Sequence, residues 1–355
     1  IDINSLKSNF LQVKRTVGRE VSIVSIVKAD AYGHGSVKVS KALIESGSNM
    51  LGVATVEEAL EIRESGISTP IIILGGIQPD EVETVIKSNF TPSLFSMPSA
   101  QAMDKYAGKL NDRVVYHLKV DTGMNRLGIG SNEIFDFLKN IVNLRNLELE
   151  GVFTHFANAD GEAIDPTIRQ IEAFYKIISL INQAGLRPKY IHSANSAAIQ
   201  RFPQSHMSLV RPGIMLYGAG RIGDVDLKPV MRLKTRIIQV KNVPVGTPVS
   251  YGGTFVASRP TVIATLPIGY ADGYMRRLSN RSVVSIKGFT APVVGIVCMD
   301  LTMIDVTDIP NVYVGDEVVL FGDDRVSAEN VAGWANTISY EVFSIIGKRV
   351  RRVYT

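Results

Sequence analysis

The chain has 355 residues, of which 45% are hydrophobic and 20% charged, and it carries a formal net charge of +4. This length calls for one large core plus a smaller one, and no apolar run reaches the roughly 20 residues that a membrane-spanning helix needs. One cysteine, Cys298, excludes an internal disulfide framework and a cysteine-based metal site, and the basic run Lys348-Arg349-Val350-Arg351-Arg352 reads as a solvated helix end or tail rather than a nucleic-acid site.

Taken in chain order, short apolar segments alternate with longer ones of helical period from Val21 to about Gly213. Eight strands are predicted over 22–27, 50–54, 71–74, 92–95, 114–120, 149–154, 190–193 and 209–211. Helices are predicted between them over 36–45, 56–64, 79–87, 131–140 and 167–184. Eight such units in about 200 residues match a (β/α)8 TIM-type barrel. After Pro229 the texture turns to β-rich runs at 233–240, 248–251, 261–266, 283–286, 293–297 and 317–321, followed by a helical or mixed stretch over 328–346. The chain is thus read as an α/β barrel over 1–230 and a mainly β domain over 231–355. No secretory signal pattern stands at Ile1, and the missing initiator methionine implies that residues preceded it; the expected compartment is the cytoplasm.

A (β/α)8 barrel carries its active site at the C-terminal ends of its strands, so the polar residues placed there are the ones to inspect. Strand one runs into Lys28 and Tyr32, strand five carries Lys119 and leads to Arg126, and strand six ends in His155. Strand seven is followed by Asn195 and Ser196, and strand eight by Arg211, Gly213 and Ile214. A lysine at a strand end can hold an aldehyde cofactor as a Schiff base, although a snorkelling side chain is the plainer reading of one lysine alone. The ends of strands seven and eight are where barrels commonly bind phosphate. Ser196 as a plain N-cap, Gly213 as a turn residue and His155 as a satisfied core histidine remain open when each is taken singly. Lysine plus phosphate site points to pyridoxal phosphate.

Six segments carry a more specific message. They are Val27-Lys28-Ala29-Asp30-Ala31-Tyr32-Gly33-His34-Gly35, the run from Leu118 through Arg126 to Gly128, His192-Ser193-Ala194-Asn195-Ser196-Ala197, Arg211-Pro212-Gly213-Ile214-Met215-Leu216-Tyr217-Gly218, Gly269-Tyr270-Ala271-Asp272-Gly273 and Cys298-Met299-Asp300. In these, and over essentially its whole length, the chain resembles the bacterial alanine racemases, pyridoxal phosphate enzymes built as a barrel followed by a β domain.

The resemblance implies that Lys28 binds the cofactor covalently and then moves the Cα proton on one face of the amino acid. Tyr270, contributed by the β domain of a partner subunit, serves the opposite face, which makes the catalytic unit a homodimer. A phenol titrates near about 10 and needs help to act as a base at neutral pH; the family supplies His155 and, behind it, Arg211. Arg211 also faces the pyridine nitrogen, and a guanidinium there keeps the ring unprotonated by like-charge repulsion. Arg126 is implied to contact the cofactor's phenolic oxygen and the substrate carboxylate, with Lys119, often carbamylated in the family, orienting it. The phosphate falls to the hydroxyls of Tyr32, Ser196 and Tyr354 and the backbone N–H groups of Gly213 and Ile214, with Asn195 beside them. The backbone N–H of Met299, next to Asp300, is implied to bind the substrate carboxylate. The chain departs from the family at Arg351, where proline is common, which bears on the placement of Tyr354.

The implied activity is interconversion of L- and D-alanine for peptidoglycan synthesis. The alternatives are a racemase of broader amino-acid range, a barrel-type decarboxylase and a non-catalytic pyridoxal phosphate carrier. The carrier lacks a second domain, and the decarboxylases usually place a cysteine and acidic residues in the partner-derived site, whereas here Tyr270 stands in the proton-donor role.

Overall fold

The structure, a computed structural model, describes residues 1–223 and 225–355 and divides into two compact units. Leu6–Ala31 and Gly35–Leu227 form the first; Ile1–Ser5, Tyr32–His34 and Lys228–Thr355 form the second.

In the first unit the strands β1 (Ser22–Ile26), β2 (Met50–Val53), β3 (Ile71–Ile73), β4 (Thr91–Leu94), β5 (Val114–Lys119), β6 (Leu147–Phe153), β7 (Tyr190–His192) and β8 (Leu209–Val210) pair in parallel in the order β7-β6-β5-β4-β3-β2-β1-β8. The sheet curls back on itself: Ser208 N–H donates to Ile191 O at 3.2 Å and Arg211 N–H to Ala194 O at 3.0 Å, joining the last two strands. These strands read as continuous β-branched and aliphatic runs because both faces are covered, by the barrel interior and by helices. All three residues of β3 are fully buried. The register places Lys119 opposite Phe153 and Phe153 opposite His192, so the ends of β5, β6 and β7 stand at one level.

The predicted helices at 36–45 and 56–64 are α3 (Ser36–Glu45) and α4 (Val56–Glu64), coming after α1 (Ile3–Val17), which the periodicity had not singled out, and a turn, α2 (Lys28–Gly33), described below. The helix predicted over 79–87 starts later, as α5 (Val82–Lys87), and α6 (Met97–Leu110) is added. Next come α7 (Ile134–Ile141), α8 (Asp165–Gln183) and α9 (Ser196–Arg201). Among the described residues no helix is long and apolar enough to cross a membrane.

The second unit is mainly antiparallel. One sheet joins β10 (Gln239–Val243), β13 (Thr261–Leu266) and β16 (Thr302–Asp305); another has the order β15 (Phe289–Pro292), β14 (Val283–Ile286), β17 (Glu317–Phe321), β9 (Leu233–Arg236); and β11 (Pro248–Val249) pairs with β12 (Phe255–Val256). The run predicted as one strand over 233–240 is cut in two because Ile237 N–H bonds to Asp316 O while Ile238 N–H bonds to Thr265 O, so the chain changes sheets there. The strand predicted over 293–297 is not formed. Phe289–Pro292 pairs with β14 instead, Val293 forms an isolated bridge to Ile304, and Gly295 turns the chain at φ +76°. Two helices follow, α10 (Ala328–Ala335) and α11 (Ser339–Ser344). The basic run near the C-terminus is exposed at Lys348, Arg349 and Arg351, yet it is tied down: Arg349 pairs with Asp272 and Asp300, and Arg352 donates to the carbonyls of Gly33, Ile346 and Val350.

Candidate active site

Lys28 lies two residues beyond β1 and opens a left-handed turn. Ala29, Asp30, Ala31 and Tyr32 all have φ between 52° and 54°, a conformation that costs a non-glycine residue about 1–2 kcal/mol each. Such a run needs outside support. Glu58 of α4 supplies much of it, its carboxylate accepting from the N–H of Ala29 and of Ala54, both at 2.7 Å, and Asp30 accepts from Ser36 N–H at 2.7 Å. Burial lowers the pKa of Lys28, Arg126 lowers it further, and Glu58 acts in the opposite sense. A lysine so disposed gives up its proton more easily and becomes a better nucleophile.

Lys119 closes β5, is almost completely buried and donates to Leu74 O at 3.2 Å between the rings of Phe95 and Phe153. Burial first, then Arg211, Arg126 and Lys28, push its pKa down to about 8. Arg126 sits exposed in a loop pinned by Asp121, whose carboxylate accepts from Gly123 N–H at 2.7 Å and Met124 N–H at 3.0 Å.

Arg211 is buried directly after β8. Its guanidinium donates to the carbonyls of Thr154 (2.6 Å), His192 (3.0 Å) and Ser193 (3.1 Å), to His192 Nδ1 (2.8 Å) and to His155 Nδ1 (3.4 Å). Burial pushes its pKa down to about 9, which leaves it charged at neutral pH. His155 Nδ1 accepts from a group that can only donate, so its proton sits on Nε2. Burial, then Arg211, Arg126, Lys119 and Lys28, hold His155 well below the usual imidazole range. Its backbone is fixed by Gln170, which donates to His155 O and Thr122 Oγ1 and accepts from Ala157 N–H.

His117, His155 and His192 share this depression, with burial the first cause in each. Above about pH 6.5 folded and unfolded chains hold them alike. Below it the unfolded chain binds protons that the folded chain refuses, so stability falls as the pH falls. Urea unfolding at neutral pH and again a unit below the imidazole range should show a clear drop in midpoint; equal midpoints would mean that these rings are protonated in the fold.

At α9 the cap is Asn195, not Ser196: Asn195 Oδ1 accepts from Ala198 N–H at 3.0 Å. Ser196 is buried, and its hydroxyl oxygen accepts from Gly213 N–H at 2.8 Å and Met215 N–H at 3.4 Å, with Ile214 between them. The hydroxyl and N–H groups expected to receive a phosphate thus stand side by side.

The remaining expected residues belong to the second unit. Tyr32 is buried with its ring 6.0 Å from that of Tyr340, and burial raises its phenol pKa. Tyr354 donates from its hydroxyl to His34 O at 3.2 Å. Tyr270 is 43% exposed on a short helical turn clamped to the Cys298-Met299 backbone, its N–H donating to Cys298 O and that of Ala271 to Met299 O, both at 3.0 Å. Only glycine fits before it, since a Cβ on Gly269 would stand 2.2 Å from Cys298 O. Met299 is exposed, and Asp300 pairs with Arg349 at 2.6 Å. Sequence reasoning had given no part to Arg349, Glu58, Gln170, His117 or His192. The one available signal was the strand alternation that puts His117 on the same inward face as Lys119.

Residues 1–221 match the family described as alanine racemase, N-terminal domain, and residues 230–354 the alanine racemase, C-terminal domain. The alanine racemase of Halothermothrix orenii is 46% identical over 361 residues, which span 100% of this chain and 95% of that protein. Among solved structures, alanine racemase from Clostridium difficile 630 aligns at TM-score 0.94 with 37% identity, covering 100% of this chain and 94% of the other. Alanine racemase from Bartonella henselae with covalently bound pyridoxal phosphate aligns at TM-score 0.92 with 31% identity, over 100% and 98%. With both domains matched and the barrel and antiparallel sheets in place, the chain belongs to the alanine racemase family.

Proposed function

We propose that this protein interconverts L- and D-alanine with pyridoxal phosphate, as a cytoplasmic homodimer in which the second domain of each copy completes the partner's site. D-alanine for peptidoglycan is the corresponding use of the product. The observation that carries this reading is Lys28, an amine with a lowered pKa on the same barrel rim as the buried guanidinium of Arg211. The residues fit the cofactor: Lys28 for its aldehyde carbon, Ser196 with the N–H groups of Gly213 and Ile214 for its phosphate, Tyr32 and Tyr354 as further hydroxyl donors, and Arg211 for its ring nitrogen. Neutral donors hold a dianion without a lysine.

When bound, pyridoxal phosphate supplies an electron sink that acidifies the Cα proton of an attached amino acid. Lys28 takes or returns that proton on one face, and the phenol of Tyr270 serves the other. His155, neutral with its proton on Nε2, couples the phenol to Arg211. Arg211, which cannot take up a proton, keeps a positive charge beside the ring nitrogen and so moderates the sink, favouring proton return over side reactions. Arg126 and the N–H of Met299, with Asp300 alongside, orient the substrate carboxylate. Lys119, with a pKa of about 8, offers enough neutral amine near neutral pH to take up carbon dioxide as a carbamate. That change turns a cation repelling Arg126 into an anion that pairs with it.

Incubation with L-alanine in heavy water tests the proposal. The expected result is D-alanine deuterated at Cα. Loss of carbon dioxide from the substrate, or recovery of unlabelled L-alanine alone, would overturn it.

A further inference from the structure

Behind Arg211 runs a line of polar groups that the proton transfers above do not use. Arg211 Nη1 is 2.8 Å from His192 Nδ1, His192 Nε2 is 2.9 Å from His117 Nδ1, and His117 Nε2 is 3.3 Å from Glu150 Oε2. Both imidazoles are fully buried, and the Glu150 side chain is 21% exposed. The glycine next in sequence makes room: a Cβ on Gly151 would stand 2.6 Å from His117 Cε1.

The direction of the line is forced. A guanidinium has donors only, so His192 Nδ1 accepts and the ring carries its proton on Nε2. That proton is donated to His117 Nδ1, which puts the His117 proton on Nε2, facing the carboxylate. The reverse order would set an imidazole N–H against an Arg211 N–H. A proton added to His117 Nδ1 would crowd the 2.9 Å gap with two N–H groups, and one added to His192 Nδ1 would stand against the Arg211 N–H at 2.8 Å. The other acceptors of Arg211, three carbonyls and His155 Nδ1, are neutral as well. A buried cation held by neutral groups alone is costly, and a polarised chain ending in an anion relieves that cost.

We propose that His192, His117 and Glu150 are positioning residues for Arg211, a one-way hydrogen-bond chain that locks the guanidinium in a single orientation and joins it to a carboxylate two rings away. The consequence for turnover rests on Arg211 facing the cofactor ring; the chain itself does not.

The chain has only five histidines, so selective nitrogen-15 labelling of the cofactor-loaded protein resolves their tautomers. His117 and His192 should both appear as neutral rings protonated on Nε2, unchanged between about pH 6 and 9. An Nδ1–H signal from either ring overturns the chain. Glu150→Leu removes the acceptor and should give His117 a mixed tautomer signal with kcat lowered about tenfold, the size of one charge-assisted hydrogen bond, and KM for alanine little changed. Glu150→Gln retains an acceptor oxygen and should restore much of both readouts, with thermal melts showing that each variant is folded. Wild-type kcat in Glu150→Leu overturns the positioning role. Expected tautomers in a protein that racemises nothing would defeat the reading of function and leave the chain standing.

Discussion

Lys28→Ala should abolish racemisation and, with it, the visible absorbance of the lysine-bound cofactor. Two roles are lost at once. In the proposed mechanism the covalent attachment disappears, and so does proton transfer on one face of Cα, a step that by itself contributes about 10²–10⁴ in rate. Lys28→Arg should fare no better, because a guanidinium is not a nucleophile at neutral pH. The fold should survive both changes, since the strained φ values belong to Ala29 through Tyr32 and Glu58 holds the backbone of Ala29 rather than the lysine side chain. The competing attachment point is Lys119, which is buried, also has a lowered pKa and lies on the same rim. Borohydride reduction of the loaded wild-type protein followed by peptide mapping separates them. The label is expected on the peptide containing Lys28; finding it on Lys119 would exchange the roles of the two lysines.

Tyr270→Phe should lower kcat by about 10²–10⁴ while leaving cofactor absorbance intact. The substitution removes one oxygen and none of the backbone hydrogen bonds that clamp the turn to Cys298 and Met299, so thermal stability should hold. Steady-state rates in the two directions are tied by the equilibrium constant, and the diagnostic signal is isotopic. One enantiomer should go on exchanging its Cα proton with heavy water through Lys28 without inverting, while the other exchanges slowly. A variant that racemises at the wild-type rate would remove Tyr270 from the mechanism. Mixing the Lys28→Ala and Tyr270→Phe proteins, each nearly inactive, checks the shared site. If each site draws Lys28 from one copy and Tyr270 from the other, mixed dimers contain one site with both residues intact and activity returns. No recovery in a mixture shown to exchange subunits would place both residues in the same chain's site.

The barrel was the most legible part of the chain. Each of its strands forms within two residues of its predicted bounds, because a strand covered on both faces must be apolar along its length and stops where the sequence turns polar. The polar residues at those stops, Lys28, Lys119, His155 and Arg211, were visible for the same reason. Legibility fell in the β domain, where an antiparallel strand leaves a weaker pattern and a change of sheet leaves none. The run 233–240 looks continuous, yet Ile237 and Ile238 bond to different partners, and 293–297 is apolar without being a strand.

By itself, the sequence determined the barrel with its following β domain, the residues at the strand ends and, through six motifs, the family. Those are properties of local pattern and order. Tertiary structure alone decided how the groups are held: the left-handed turn after Lys28 supported by a carboxylate from α4, the pairing of Asp300 with Arg349, and the line from Arg211 through His192 and His117 to Glu150. Each joins residues far apart in the chain, and the charge, tautomer and strain of such groups depend on burial and on neighbours that no local pattern records.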